Sequence, residues 1–161
     1  MKVDWSRWVP AVRSTLVFVR RGRSWLLIRK RRGLGAGKIN APGGKLDPGE
    51  SPAECGVREL HEEVGVVVSG LDRRGELSFQ FVDGLALHVE VFVADGCEGE
   101  PVTTDEAFPV WIDQDAMPYD EMWADDAIWL PHLLAGRTFA LWAVFDGDRM
   151  LDWRFEVEGT G

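Results

Sequence analysis

The chain is poor in cysteine, in basic residues and in long apolar runs, and each shortage removes a class of protein. Cys55 and Cys97 are the two cysteines in 161 residues: they make no disulfide framework, and neither has the C-x-x-C or Cys/His spacing of a zinc site. Both read as incidental. Lys and Arg number 18 against 27 Asp and Glu, a net charge of −9, so the basic footprint that polymeric nucleic acid requires is missing. A small anion complexed with a metal remains compatible with that charge. No segment approaches the roughly 18 uncharged apolar residues of a membrane span, and residues 1–13 (MKVDWSRWVPAVR) lack the apolar core of a secretory signal. A soluble, cytoplasmic monomer with no membrane partner is the expectation. No internal repeat, low-complexity tract or linker is apparent.

What is present is a well-filled core: 45% hydrophobic residues, with eight Trp and eight Phe, suit one domain over 1–161. Ser14–Arg20 and Ser24–Arg29 read as a hairpin around Arg21-Gly22-Arg23. Glu76–Phe81 and Ala86–Ala94 read as a second pair joined by Val82-Asp83-Gly84, and Pro109–Ile112 as a short strand. Asp125–Ala135 reads as a helix capped by an Asp and ended by Gly136, and Thr138–Phe145 pairs with Arg149–Val157 through Asp146-Gly147-Asp148. Strands dominate and two helices fall between strand groups, which predicts an α+β fold with a mixed sheet packed between helices. Residues 1–13, with Trp5 and Trp8, form an N-terminal extension that is expected to cap the sheet.

Residues 44–66, GKLDPGESPAECGVRELHEEVGV, carry the chemistry. Ser51 reads as an N-cap, Pro52 as the first helical residue and Glu54 as the partner in a capping box, with Gly65 as the left-handed stop and Val66-Val67-Val68 opening an extended segment. At about 100° per residue, Ala53, Val57, Leu60 and Val64 form a stripe toward the core. Glu59, Glu62 and Glu63 then share the opposite side. Like charges at i, i+3 and i+4 destabilise a helix by about 0.2–0.5 kcal/mol per pair, and carboxylates in its last turn oppose the macrodipole. Arg58 offsets only part of this. An all-oxygen cluster suits Mg²⁺, or Mn²⁺, rather than zinc. Taken alone, E-x-x-E-E is equally the pattern of a solvated acidic helix face.

The segment as a whole separates these readings. Gly44, Glu50, Arg58, Glu59, Leu60, Glu62, Glu63, Gly65 and Val66 fill every fixed place of G-x5-E-x7-R-E-U-x-E-E-x-G-U, where U is a bulky aliphatic. This resembles the Nudix box, which implies an α/β/α sandwich and a loop–helix–loop that holds Mg²⁺ against a diphosphate for attack by water.

Two other stretches bear on selectivity. Asn40 precedes the box glycine by four residues; its amide can donate and accept toward a purine edge, or simply satisfy a turn. Trp123-Ala124-Asp125-Asp126 reads either as a buried indole with an Asp cap or as a plate for a base with two carboxyls at its edge. Two carboxyls crowded in a dry pocket do not both ionise, so one can donate while the other accepts.

From Thr15 to about Val157 the chain is also similar to the MutT-type branch of the Nudix family that hydrolyses oxidised purine nucleoside triphosphates. The shared motifs are KRRGLGAGK-x-N at Lys30–Asn40, F-x-F at Phe79–Phe81, P-V-x-x-D-E at Pro101–Glu106 and M-W-x-D-D-x-x-W-x-P at Met122–Pro131. The resemblance implies hydrolysis of 8-oxo-dGTP and 2-hydroxy-dATP to the monophosphate and pyrophosphate. It carries base recognition onto Asn40, Trp123, Asp125 and Asp126, with Phe79, Phe81 and Lys30 beside the ligand, and metal binding onto Glu59, Glu62 and Glu63 with the Gly43 carbonyl. Arg58 orients the carboxylates, and Glu62, Glu63 or Glu106 is the general base. Leu34, Ile39, Ala124 and Ala41-Pro42 depart from that branch's aromatic, tryptophan, proline and Gly-Phe positions. Rival readings are a Nudix hydrolase of nucleotide sugars or dinucleoside polyphosphates and a non-catalytic nucleotide sensor.

Overall fold

The computed structural model describes residues 1–160. Its strands are β1 (Val12–Arg21), β2 (Ser24–Lys30), β3 (Ile39–Asn40), β4 (Gly43–Lys45), β5 (Asp72–Phe81), β6 (Ala86–Asp95), β7 (Ala107–Asp113), β8 (Arg137–Asp146) and β9 (Arg149–Thr160). Helix α1 (Pro52–Val64) lies between β4 and β5, and α2 (Asp126–Leu134) between β7 and β8. All nine strands join one mixed sheet in the order β3-β2-β1-β6-β5-β8-β9, with β4 added to β1 and β7 to β2. The β1/β6 and β5/β8 pairings are parallel and the rest antiparallel.

Side-chain alternation along the strands divides the core between the two faces. On β1, Val17 and Val19 face α1 and pack with Leu26, Ile28, Leu60, Val64 and Val66. Phe18 faces the other way and joins Trp25, Leu27, Leu77, Phe139, Leu141, Trp129 and Leu133 under α2. One helix on each face of a mixed sheet is the α/β/α arrangement the sequence leads one to expect.

Helix α1 starts and stops where its capping residues place it. Ser51 accepts from the Glu54 N–H, the Glu54 carboxylate accepts from the Ser51 N–H, and Gly65 adopts φ 78° with its N–H bonded to the His61 carbonyl. The buried stripe differs from the apolar one, however. Ala53 is exposed, while Cys55, Gly56 and Glu63 are buried beside Leu60 and Val64. Gly56 explains the rotation: a Cβ there would lie 2.9 Å from Val17 Cγ2 and 3.0 Å from Leu71 Cδ1, so the helix meets the sheet at a glycine, which a search for apolar spacing passes over.

Val66–Val68 runs as a connection with a lone bridge between Val67 and Glu98, and Val66 and Val68 pack under α1. Four other expectations change. β5 begins at Asp72, ahead of the Glu76 read from sequence. β9 runs on to Thr160 because β8 remains alongside it beyond Val157. Asp125 is in helical conformation (φ −73°, ψ −23°) and makes no capping bond, its side chain being engaged elsewhere. β1 starts at Val12, so the extension ends at Ala11. It is tied down by Ala11 N–H to Ala86 O at 2.8 Å and Trp8 Nε1 to Gln80 Oε1 at 2.9 Å, with Trp5 edge-on to Trp8.

Replacing Ser51 by Ala removes one acceptor and one half of the capping box, and should lower stability by about 1 kcal/mol. Urea unfolding with an unchanged midpoint would show that the cap contributes nothing.

Candidate active site

The site begins with a close approach of backbone to helix. Gly43 and Gly44 pair with Leu16 and Thr15 of β1 and pass directly under the second half of α1. A Cβ on Gly43 would sit 1.8 Å from the Thr15 carbonyl oxygen, and one on Gly44 2.3 Å from Glu59 Cδ, so only glycine lets the chain pass here. The Glu59 carboxylate occupies the room that a side chain at Gly44 would need.

Around this crossing, Glu59 and Glu63 (i, i+4 on α1) meet Glu106 from the loop before β7, with one carboxylate oxygen of each within 4.8 Å of the others. Glu63 is only 5% exposed, and its Oε2 has no hydrogen-bond partner among the described residues. Burial, and next the charge on Glu59, push its pKa up to about 8, against the opposing effects of the Gly43 backbone and Lys30. Glu59 is also raised, chiefly by burial, with Arg58 opposing. Three crowded carboxylates, an orphaned buried oxygen and an all-oxygen donor set fit a hard divalent cation.

Arg58 organises the other side of α1. Its Nε and Nη2 donate to Glu50 at 2.7 and 2.9 Å, Nη1 to Glu59 at 2.9 Å and Glu62 at 3.1 Å, and Nη2 also to the Lys45 carbonyl at 3.0 Å. This fork fastens the loop 45–50 to the helix and, through the Glu50 pairing first, holds the Glu50 carboxyl at about 2. Glu62 lies outside the trio. At i+4 from Arg58 it accepts the Nη1 hydrogen bond, and its side chain is 51% exposed, whereas Glu59 and Glu63 meet Glu106.

A cavity of about 230 Å³ opens from this point onto the α2 face of the sheet. Leu16, Leu77, Phe79, Phe81, Val89 and Phe145 form much of its wall; Asn40, Lys30, Asp125, Asp126 and Trp123 contribute polar groups, and Gly43, Gly44 and Glu63 line it as well. Every base-recognition residue inferred from sequence therefore lines one chamber, which also reaches the acidic trio. Asn40 Oδ1 accepts the Ala41 N–H at 2.8 Å, which is the turn reading, and the residue also lines the cavity. Lys30 Nζ donates to the Leu34 carbonyl at 2.9 Å.

Asp125 and Asp126 are each 2% exposed. Trp129 Nε1 donates to Asp125 Oδ2 at 2.8 Å, which is the engagement that takes Asp125 away from capping, and Asp126 Oδ2 has no partner among the described residues. Burial pushes both carboxyls above their ordinary range, Asp126 further because Asp125 is beside it. The Trp123 indole meets Phe145 and Phe81 edge-on at 5.5 and 6.2 Å, and those two rings stack at 5.6 Å. Phe145, Leu16 and Leu77 were not singled out from sequence. Alternation puts Phe139, Leu141, Ala143 and Phe145 on one face of β8, but nothing local says which of them ends at a cavity.

A carboxyl whose folded pKa is raised binds its proton more tightly folded than unfolded. Its contribution is fully present below the unfolded value near 4.5 and is lost as pH rises through about 8. Without divalent cation, the stability of the wild type relative to Glu63→Gln should therefore fall between these limits, and saturating Mg²⁺ should reverse the fall. Parallel melting-temperature profiles for the two proteins would contradict a buried, ionisable Glu63.

Comparison with known proteins agrees with this geometry. The model of the NUDIX domain matches residues 10–133. The chain is 42% identical over 134 residues to the oxidized purine nucleoside triphosphate hydrolase of Danio rerio, covering 83% of this chain and 86% of that protein. It is 40% identical to the Mus musculus protein of the same name, over 78% of this chain and 81% of that one. Among solved structures, the mutator MutT protein of Bacillus halodurans superposes with a TM-score of 0.80 at 29% identity, covering 90% of this chain and 97% of the other. With its box on a glycine crossing and a capped helix, and with these relatives along most of its length, the chain belongs to the NUDIX family.

Proposed function

We propose that this protein hydrolyses oxidised purine (deoxy)nucleoside triphosphates such as 8-oxo-dGTP and 2-hydroxy-dATP, within a single domain and with Mg²⁺ as cofactor, releasing nucleoside monophosphate and pyrophosphate. The observation that carries this reading is the single chamber. Its lining joins an aromatic wall, Asn40 and the buried Asp125/Asp126 pair with Glu63 of the acidic trio. The names of the Danio rerio and Mus musculus relatives point to the same substrate class.

In this reading the base enters beside Trp123, with Phe79 and Phe81 on the wall. The carboxyl pair shares protons, one member donating and the other accepting, while the Asn40 amide meets a further position of the purine edge. Lys30, which lines the cavity and whose charge reaches Glu63, lies where a phosphate chain leaves the pocket. Glu59, Glu63 and Glu106 would hold the cation, with the Gly43 carbonyl as a further oxygen donor. When bound, the cation supplies charge neutralisation on the phosphates and Lewis acidity. Water adds to one phosphorus of the α–β anhydride and the bond from that phosphorus to the bridging oxygen breaks, the bridging oxygen keeping the electron pair and leaving with the other product. The water's proton passes to a carboxylate of the cluster. Arg58 keeps Glu59 and Glu62 oriented throughout.

The general base is one of Glu62, Glu63 and Glu106, of which Glu62 stands apart from the trio in an ion pair with Arg58 and Glu106 belongs to it. Replacing Glu62 or Glu106 by Gln should separate their roles. Glu106→Gln weakens cation affinity, whereas Glu62→Gln lowers kcat at saturating Mg²⁺ by about 100-fold or more if Glu62 is the base. A near-normal kcat in Glu62→Gln removes it from proton transfer.

A nucleotide panel at pH 7–9 with Mg²⁺, scored by pyrophosphate against phosphate release, tests the function itself. Oxidised purine triphosphates should lead, and Asn40→Ala should reduce the preference for 8-oxo-dGTP over dGTP by about tenfold, the size of one lost hydrogen bond to a buried partner. Faster turnover of nucleotide sugars or dinucleoside polyphosphates would replace this substrate class.

A further inference from the structure

A lysine stands just outside the chamber, against one of its aromatic residues. Lys38 does not line the cavity, but its Nζ lies 5.4 Å from the centroid of the Trp123 ring and 3.2 Å from Asp148 Oδ2 in the turn between β8 and β9. The Lys38 side chain is 26% exposed and its partner Asp148 69% exposed, and the contact with Trp123 is what sets this lysine apart from an ordinary surface ion pair. The loop that carries it also touches the indole: Gly35 adopts φ 81°, and a Cβ there would fall 2.8 Å from Trp123 Nε1. The loop closes on itself through Lys38 N–H to Gly35 O at 2.9 Å and Lys38 O from Lys30 N–H at 3.0 Å. Trp123 is thus held from two directions, with Phe81 and Phe145 edge-on to it within the chamber and the Gly35–Lys38 corner outside.

Resting on the reading that Trp123 contacts the base, we infer that Lys38 is a positioning residue for substrate recognition: anchored by Asp148, its ammonium fixes the indole of Trp123 at the orientation in which a purine is received. A partly buried ammonium over an indole face is a favourable contact, indole being the aromatic ring that holds a cation best. A ring so fixed loses less freedom when a base binds, and that gain appears in affinity rather than in the chemical step. The same charge reaches the buried pair, where Lys38 opposes the upward push on the Asp126 carboxyl. One lysine thereby touches the stacking plate and biases the edge-reading carboxyls.

A merely structural surface ion pair would leave substrate affinity alone, which separates the two roles. With full-length enzyme and Mg²⁺, Lys38→Met should raise KM for 8-oxo-dGTP by about three- to thirty-fold, as loss of a cation–π contact implies, and kcat should change less than KM. Lys38→Arg, which keeps charge and reach, should restore most of the loss, and Asp148→Ala should fall between them. The indole N–H resonances of the eight tryptophans offer a second readout, Trp123 being assigned by its absence in Trp123→Phe. Lys38→Met should shift that resonance and Lys38→Arg should return it toward the wild-type position. A wild-type KM in Lys38→Met overturns the inference whatever the resonance does, and so does an Arg variant as impaired as the Met one. If 8-oxo-dGTP is not a substrate, the proposed function fails by itself, and the same KM comparison on the nucleotide identified by the panel decides the role of Lys38.

Discussion

The constraint on which this structure depends is the gathering of carboxylates where backbone and helix pass closest. Glu59, Glu63 and Glu106 converge over Gly43–Gly44, and Glu63 is buried with an oxygen that has no partner among the described residues. Left alone, such a cluster repels itself and favours protonation, which is what the raised Glu63 and Glu59 carboxyls express. Arg58 relieves part of it from one side and braces the loop against the helix with five carboxylate and carbonyl contacts among Glu50, Glu59, Glu62 and Lys45. The rest of the charge calls for a cation, which accords with the general use of divalent metals by Nudix hydrolases. Gathering carboxylates in this way weakens the protein on its own, an exchange of stability for function that active sites commonly show.

The sheet joins this cluster to the pocket. α1 covers one face and α2 the other, yet β1 and β4 bring Thr15, Leu16, Gly43 and Gly44 to the place where the chamber on the α2 side reaches the glutamates of α1. Two kinds of physics are kept apart by this layout. At one end three carboxylates are crowded together. At the other, aromatic rings surround two buried carboxyls whose protons are held more tightly than usual.

Several features were legible because their causes are local. The Ser51/Glu54 box, the Gly65 stop, the turns at Gly22, Gly84 and Gly147 and the strand alternation all depend on residues within a few positions of one another. Others were not. The buried stripe of α1 follows Gly56 rather than Ala53, because close packing against Val17 and Leu71 rewards the absence of a side chain. Asp125 gives its carboxylate to Trp129 rather than to the helix start, because a buried indole N–H needs an acceptor.

What the sequence determined by itself is the set of chemical groups and their local framework: a capped helix bearing glutamates at fixed angles, glycines before it, and polar and aromatic residues enough to read a base. Only the tertiary structure decided which of these meet. It brought Glu106 rather than Glu62 beside Glu59 and Glu63, set Phe145 of β8 against Trp123, and laid Lys38 over that ring beside a turn more than a hundred residues away, |i−j| being 110 for Lys38 and Asp148. The reason is that helix angle and strand parity act over a few residues. Proximity between distant segments is settled by how the sheet orders its strands and by the shapes that pack between them.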